Sequence, residues 1–503
     1  MNLIVNKRLA VILMLILVLM FLTPNSYAHA KLLRSEPADG ETLRQIPKTI
    51  ELIFSEELQT VDMNSIVVTD QNGRRVDNNA VVISEAGKKM RCELAELGDG
   101  DYTVEWKALS ADDHTMKGTF TFKVTISDNA AVIATPEQPS SNDKMRMDHQ
   151  MPAQESSTNF AQSAARWLMY LAMMALFGGF AFRLLVLKPS LHQARDLSDE
   201  ERALGLGQGE NRFVRLTWLS LALLAVAALA SLILQTSAVL DVSITEAFAP
   251  SRLFKVLTET SYGSPWFLQI AAMLALAVVF FIARGRKDLN TKAPFLWIGL
   301  VLSAILFLTP SLTGHARAAV KEYQFAIFSD WLHLVAVGIW VGGLFHLALT
   351  MPKSVSHLSG SRRLCVLSRV IPLFSRLAIV SSILIVLTGI YNSWIHVDSF
   401  SALWNTPYGQ VLSIKIILFL PMIALGGLNT FILRPRAERF DNETISADEH
   451  RWTDRSFSRS VRVEAAIGIA VLLLAAILAF LPPARQHEMI MSAERLSNPL
   501  RND

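Results

Sequence analysis

Eight apolar stretches of membrane-crossing length occupy the chain beyond residue 160, and no other feature restricts the fold so severely. A helix needs about 20 predominantly apolar residues to cross the hydrocarbon core. Inside that core each backbone N–H and C=O must be paired within the segment, so runs of this kind become helices. The spans are expected at 163–187, 213–240, 264–284, 293–309, 325–350, 371–397, 410–433 and 462–482. Basic residues then alternate between the loops. Arg195, Arg202, Arg212 and Arg215 follow the first span, and Arg284, Arg286 and Lys287 the third. Arg362, Arg363 and Arg369 follow the fifth; Arg434, Arg436, Arg439, Arg451, Arg455 and Arg459 follow the seventh. Between spans six and seven there is no Lys or Arg. The positive-inside rule places both ends of this helical part outside a plasma membrane.

The N-terminus gives an independent indication of the same orientation. Lys7 and Arg8 precede an apolar run from Leu9 to Leu22, and Ser26-Tyr27-Ala28 supplies small residues for cleavage. Residues 1–28 therefore read as a signal peptide. Cleavage after Ala28 would leave His29 first, with an α-amino group and an imidazole on one residue, a chelating pair for a metal. On the junction alone, a solvated first residue accounts for His29 equally well. Only two cysteines, Cys92 and Cys365, occur in 503 residues, which excludes a disulfide framework and a thiolate cage. Any metal must be held by His, Met, Asp or Glu. A net charge of +3 is too small to point to nucleic acid. Neither a Gly-x-x-x-x-Gly-Lys-Ser/Thr loop nor an Asp-Lys-Thr-Gly motif is present, so no nucleotide and no ATP-driven pump is expected.

Residues 29–126 have a different period. Thr49-Ile50-Glu51-Leu52-Ile53-Phe54-Ser55, Asp101-Tyr102-Thr103-Val104-Glu105-Trp106 and Thr119-Phe120-Thr121-Phe122-Lys123-Val124 alternate apolar with polar residues. Turn signals at Pro37-Ala38-Asp39-Gly40, Gln71-Asn72-Gly73 and Gly98-Asp99-Gly100 separate the runs. Short strands at this spacing predict a small antiparallel β-sandwich with Phe54, Trp106, Phe120 and Phe122 in its core. Asp112 and His114 lie between two of the strands, and in extended backbone residues two apart face the same side. A carboxylate and an imidazole there suit tetragonal Cu(II), although Asp-x-His alone is equally a polar loop.

The stretches His29-Ala30-Lys31-Leu32, Ser35-Glu36-Pro37-Ala38-Asp39-Gly40 and Leu52-Ile53-Phe54-Ser55 resemble the opening of a CopC-type periplasmic copper-binding domain. Gly100 to Trp106, Ser110-Ala111-Asp112-Asp113-His114 and Gly118 to Phe122 are similar to that family's second signature. The resemblance implies an immunoglobulin- or cupredoxin-like Greek-key β-sandwich that holds Cu(II) through His29, by amine and imidazole, Asp112 and His114. Asp113 departs from the family pattern, which has glycine there, and adds a carboxylate beside the ligands. Met63, Met90 and Met116 are too scattered for the Met-rich Cu(I) site of some members.

From 127 to 159 the composition shifts to Pro, Ser, Gln, Asn and charge, which predicts a flexible tether. Within it Met145, Met147, His149 and Met151 offer soft ligands that would suit Cu(I), or are chance clustering. In the helical part, 160–484, ionisable residues at membrane depth are functional candidates by default. His315 lies just outside span four; Asp330 and His333 are a turn apart in span five; His396 ends span six. The three histidines are expected at one depth, with His346 about 20 Å further inward along span five. Lys415 is expected to pair with Asp330 and Arg183 to snorkel to the inner interface. Gly178-Gly179, Gly342-Gly343 and Gly426-Gly427 are expected at close helix crossings. Residues 485–503 are expected to form an extracytoplasmic tail.

Leu312-Thr313-Gly314-His315-Ala316 and the run from Ser329 to Leu344 resemble the CopD-type copper membrane proteins, which also have eight spans. The order, CopC-like then CopD-like, is similar to the YcnJ-type copper-acquisition proteins of bacilli. The expected function is copper uptake across a bacterial plasma membrane, without enzymatic activity. Copper ions, the lipid bilayer and an extracytoplasmic copper chaperone are the expected partners. Copper tolerance by sequestration or export uses the same ligands, and a membrane oxidoreductase with haem between His333 and His396 is a third alternative.

Overall fold

The computed structural model describes residues 32–54, 57–59, 64–84, 87–110, 115–126, 153–194, 197–284, 289–313, 323–358, 360–397, 399–439, 447–481 and 483–485. Its contacts divide the chain into two compact units, Gln162–Ile233 with Gly263–Asp503 and Ser26–Ala161 with Leu234–Tyr262.

The β-unit contains eight strands: β1 (Leu32–Glu36), β2 (Glu41–Leu43), β3 (Thr49–Phe54), β4 (Ser65–Asp70), β5 (Asp77–Ser84), β6 (Lys89–Leu94), β7 (Gly100–Leu109) and β8 (Thr115–Val124). They form two four-stranded sheets, β1-β3-β6-β5 and β2-β8-β7-β4. All pairings are antiparallel except β2 with β8, which is parallel. Alternation places Ile50, Leu52 and Phe54 of β3 opposite Val104, Phe120 and Phe122 in one core. Burying side chains of this size contributes about 1.5–3 kcal/mol each. Trp106 is only half-buried; it meets Phe54 edge-on at 5.4 Å and covers the backbone at Gly118.

The same unit recruits a segment that sequence periodicity leaves unassigned. Following the long helix that ends at Leu240, the capped turn Ile244–Ala247 and the helix Pro250–Glu259 join the β-unit. Ser243 accepts from Glu246 N while Glu246 accepts from Ser243 N, a capping box. Leu109, Val239 and Val256 share a small apolar cluster.

Eight helices among the described residues are long and apolar enough to cross a membrane: α1 (Phe160–Gln193), α2 (Asp199–Leu240), α3 (Gly263–Ala283), α4 (Ala293–Leu312), α5 (Gln324–Leu349), α6 (Cys365–His396), α7 (Pro407–Arg436) and α8 (Arg455–Leu478). Helix begins at Ala153, inside the expected tether, because no glycine or proline interrupts Ala153–Phe160. Among the described residues three π-helical turns interrupt the bundle, Arg183–Leu187 in α1, Gly338–Gly342 in α5 and Asn429–Leu433 in α7.

α1 and α5 cross at the backbone. A Cβ on Gly178 would overlap the main chain of Gly342, and one on Gly342 would overlap the Met174 carbonyl. Gly426 and Gly427 do not make such a crossing: a Cβ at either meets only one side-chain atom, at 3.9 Å. Arg183 also departs from expectation. It is buried, ion-paired with Glu210, and its guanidinium lies 5.1 Å from the Phe213 ring centre. The π-turn begins at Arg183, and a half-buried carboxylate partner one helix away removes any need to reach the interface.

Gly342→Ala is expected to lower bundle stability by roughly 3 kcal/mol or more. Gly427→Ala should change it by less than about 0.5 kcal/mol. Thermal unfolding of the detergent-solubilised chain, followed by tryptophan fluorescence, distinguishes the two.

Candidate metal centres

His29, Asp112, Asp113, His114, Met145, Met147, His149, Met151 and His315 lie outside the described residues. Their flanks in the β-unit are described. β1 starts at Leu32, paired with Phe54; four residues beyond Phe54, Leu58 bridges to Ser110. The β7–β8 hairpin closes at Leu109 opposite Thr115. Four residues of extended chain and two cross-strand steps separate the start of β1 from the hairpin end, which places them within about 23 Å of each other along one rim of the sandwich.

That rim is stapled by two side chains whose local sequence carries no signal. Asn64 Oδ1 accepts from Leu109 N at 2.7 Å, and its Nδ2 donates to Gln59 O at 2.7 Å. Gln59 Nε2 donates to Ser110 O at 2.9 Å and its Oε1 accepts from Ser261 N at 2.9 Å. Beside them Lys117 Nζ pairs with Asp241 Oδ1 at 2.6 Å. Lys107 lies close to this pair; burial lowers its pKa to about 8, opposed by Asp241 and reinforced by Lys117. Asp241 is held below the usual carboxylate range by the Lys117 hydrogen bond.

In the bundle the expected ligands separate. Asp330 accepts from Ser311 Oγ of α4 at 2.6 Å, whereas His333 meets Thr388 Oγ1 of α6 at 2.9 Å. One turn apart on α5, they are directed to different helices. Lys415 and Arg166 act on Asp330 through space; among the described residues Lys415 and Asp330 form no direct ion pair. His333 also packs near Gly389, whereas His396 lies eight residues beyond Thr388, about 12 Å along α6, with its ring 6.3 Å from that of Tyr408. The two therefore do not share one depth and do not face each other across a haem-sized gap.

Hydrogen-bond partners distinguish the two α5 histidines. Thr388 Oγ1 lies 2.9 Å from His333 Nδ1 and 2.6 Å from Leu384 O, and the Ile385 backbone is a further partner of the His333 ring. His346 is fully engaged. Its Nε2 donates to Ala175 O at 2.9 Å and its Nδ1 meets Thr350 Oγ1 at 3.1 Å, between the rings of Phe182 and Phe213. It braces α5 against α1, and it could bind a metal only by giving up one of those bonds. Among the described residues no three His, Cys, Asp or Glu side chains converge on one point.

A polar centre absent from the expectations lies deeper. Glu464 of α8 accepts from Trp340 Nε1 at 2.7 Å and from Asn429 Nδ2 at 3.4 Å. A lone glutamate in an amphipathic run reads as a helix-surface residue; only packing reveals that it is buried.

Three family models match the chain: CopC domain over residues 32–125, Copper resistance protein D-like, N-terminal domain over 157–323, and Copper resistance protein D over 368–478. Over 470 residues the chain is 30% identical to the copper transport protein CutJ of Bacillus subtilis, covering 93% of this chain and 77% of that protein. This chain belongs to the CutJ-type family of copper transport and resistance proteins. It is also 30% identical over 239 residues to copper resistance protein D of Pseudomonas syringae pv. tomato, which is 46% of this chain and 73% of that one. Among solved structures, PcoC, a methionine-rich copper resistance protein from Escherichia coli, matches at 30% identity with a TM-score of 0.18, covering 20% of this chain and all of that one. That score carries no weight; the sandwich stands on its strand pairing. As a CopC–CopD fusion of this family, the protein is a multi-pass membrane protein with an N-terminal β-sandwich. All of α5, with Asp330, His333 and His346, falls between the two CopD-type matches.

Lys107→Met removes a cation whose burial is unfavourable. The sign follows from proton binding: between about 8 and 10.5 the unfolded chain holds a proton on Lys107 that the folded one has lost, so stability rises with pH there. The methionine variant is expected to be more stable than wild type at neutral pH, with the difference shrinking as pH climbs through that window. Denaturant midpoints measured across the window test this.

Proposed function

We propose that this chain carries copper inward across the bacterial plasma membrane. The observation that supports this most is the match over 93% of the chain to a copper transport protein, in which β-domain and bundle correspond in the same order. On this reading the β-unit is extracytoplasmic and takes Cu(II) through the His29 amine and imidazole, Asp112 and His114, a nitrogen-rich set that suits tetragonal Cu(II). The rim geometry supports it, because the described flanks of these residues lie at one end of the sandwich. Copper then moves to the bundle, where the His333 imidazole is the station in α5; the methionines of the linker and a soluble chaperone are further stations. No chemical step is catalysed.

A second reading, copper tolerance, is favoured by the similarity to a copper resistance protein D. Growth of a deletion strain separates the two: import predicts failure in copper-depleted medium, and tolerance predicts death at high copper.

For the outer site, EPR of the processed chain with one equivalent of Cu(II) is expected to show nitrogen-rich tetragonal coordination. His29→Ala should abolish that signature and His114→Ala should weaken it. One extra residue ahead of His29 converts the amine ligand to an amide and should reduce affinity on the order of tenfold or more. Unchanged spectra in all three would overturn the assignment.

A further inference from the structure

Glu464 is 1% exposed and sits nine residues into α8, about 13 Å from its Arg455 end. Its carboxylate is bounded by the π-turn of α5, through Trp340, and by the first residue of the π-turn of α7, Asn429. π-turns inside long helices concentrate at functional sites because they redirect one side chain out of register. Here two of them point at the same acid.

The partners are all neutral. Trp340 Nε1 and Asn429 Nδ2 donate to it, and Gly426 of α7 approaches Oε1 without a side chain. The titratable groups on the surrounding elements are directed elsewhere. His346 of α5 is bound to Ala175 O and Thr350, and Arg462 of α8 donates to Ser458 O. Lys415 of α7 lies 14 residues before Asn429, about 21 Å away. Arg434 lies five residues beyond it, toward the cytoplasmic end expected from the charge pattern. Among the described residues no ionised side chain acts on Glu464. A permanently charged carboxylate is a poor occupant of such a place, since two neutral donors do not replace a counter-ion.

Asn429 adds a second observation. It is 93% buried, being 7% exposed, and its Oδ1 has no hydrogen-bond partner while Nδ2 reaches Glu464 only at 3.4 Å. An amide can present either end. To a carboxylate it gives Nδ2–H; rotated by half a turn, it gives Oδ1, which accepts from the O–H of a carboxylic acid. The Glu464–Asn429 pair can therefore serve both protonation states, with an O–H bond formed or broken at one carboxyl oxygen and no electron transferred.

We propose that Glu464 is a proton-binding site within the membrane and that its proton and a passing copper cation compete for one negative charge. The coupling rests on the transport function proposed above; the proton site does not. One turn along α8, Gly468 packs against Val341 of α5 and, further off, the Met422 methyl of α7, so the surroundings of the acid on that side are apolar.

The test uses the full chain in nanodiscs and in vesicles. Infrared difference spectra between acid and alkaline buffer are expected to show the C=O stretch of a neutral carboxylic acid, lost in Glu464→Gln. Trp340→Phe, which keeps the acid and removes one donor, should retain the band and shift it to higher frequency. A band unchanged in both variants, or none in wild type, overturns the proton site. In vesicles given Cu(II), with and without ascorbate, wild-type copper entry should slow on acidification of both sides and Glu464→Gln should lose that dependence. Wild-type entry that is indifferent to pH overturns the coupling alone. A titrating band with no copper entry under any condition overturns the transport function and leaves the proton site standing.

Discussion

The contact between Gly178 and Gly342 governs the bundle. Lipid offers helices no hydrophobic reason to associate, so packing depth and hydrogen bonds must hold them. With no side chain at either position, α1 and α5 meet backbone to backbone. That depth seats His346 under the Ala175 carbonyl and brings Phe177 against Gly338. On α5 the same crossing coincides with the π-turn Gly338–Gly342, which presents Trp340 to Glu464 of α8. One close approach thus orients polar groups on two sides of a single helix.

Hydrocarbon also dictates what those polar groups may do. Arg183 finds Glu210 and the face of Phe213 rather than the interface. His346 spends both ring nitrogens on structure across two helices, α1 and its own, whereas the His333 partners, Thr388 and Ile385, both lie on α6. Two histidines on one helix, alike in sequence, are therefore unlike in what they hold together.

In the β-unit the organising device is a rim of amide side chains. Gln59 and Asn64 tie the end of the β7–β8 hairpin to the neighbouring chain and to Ser261. The copper site proposed above depends on a chain terminus and a hairpin and would need such ties, because loop residues bring no rigidity of their own. The recruitment of Leu234–Tyr262 adds an ion pair, Lys117 with Asp241, that links residues 124 positions apart.

How much of this was legible depended on whether the cause was local. Runs of about 20 apolar residues and period-two alternation specify spans and strands by themselves, since backbone pairing and burial leave one solution for each. The eight spans, the sandwich and the aromatic core at Phe54, Phe120 and Phe122 were readable in that way. The family motifs around His29, Asp112 and His114 were readable as patterns. The crossing at Gly178–Gly342 was half-readable: three glycine pairs looked equivalent, and only packing showed that Gly426–Gly427 makes no close backbone approach. The divergence of Asp330 from His333, the burial of Arg183 and the convergence of Trp340, Asn429 and Glu464 had no sequence signal. Their partners lie on other helices, 19 to 124 residues away. Sequence by itself determined which segments cross the membrane and which fold outside it, because those choices depend on each segment's own burial. Tertiary structure decided which polar side chain faces which, because a hydrogen bond between helices exists only once both backbones are placed.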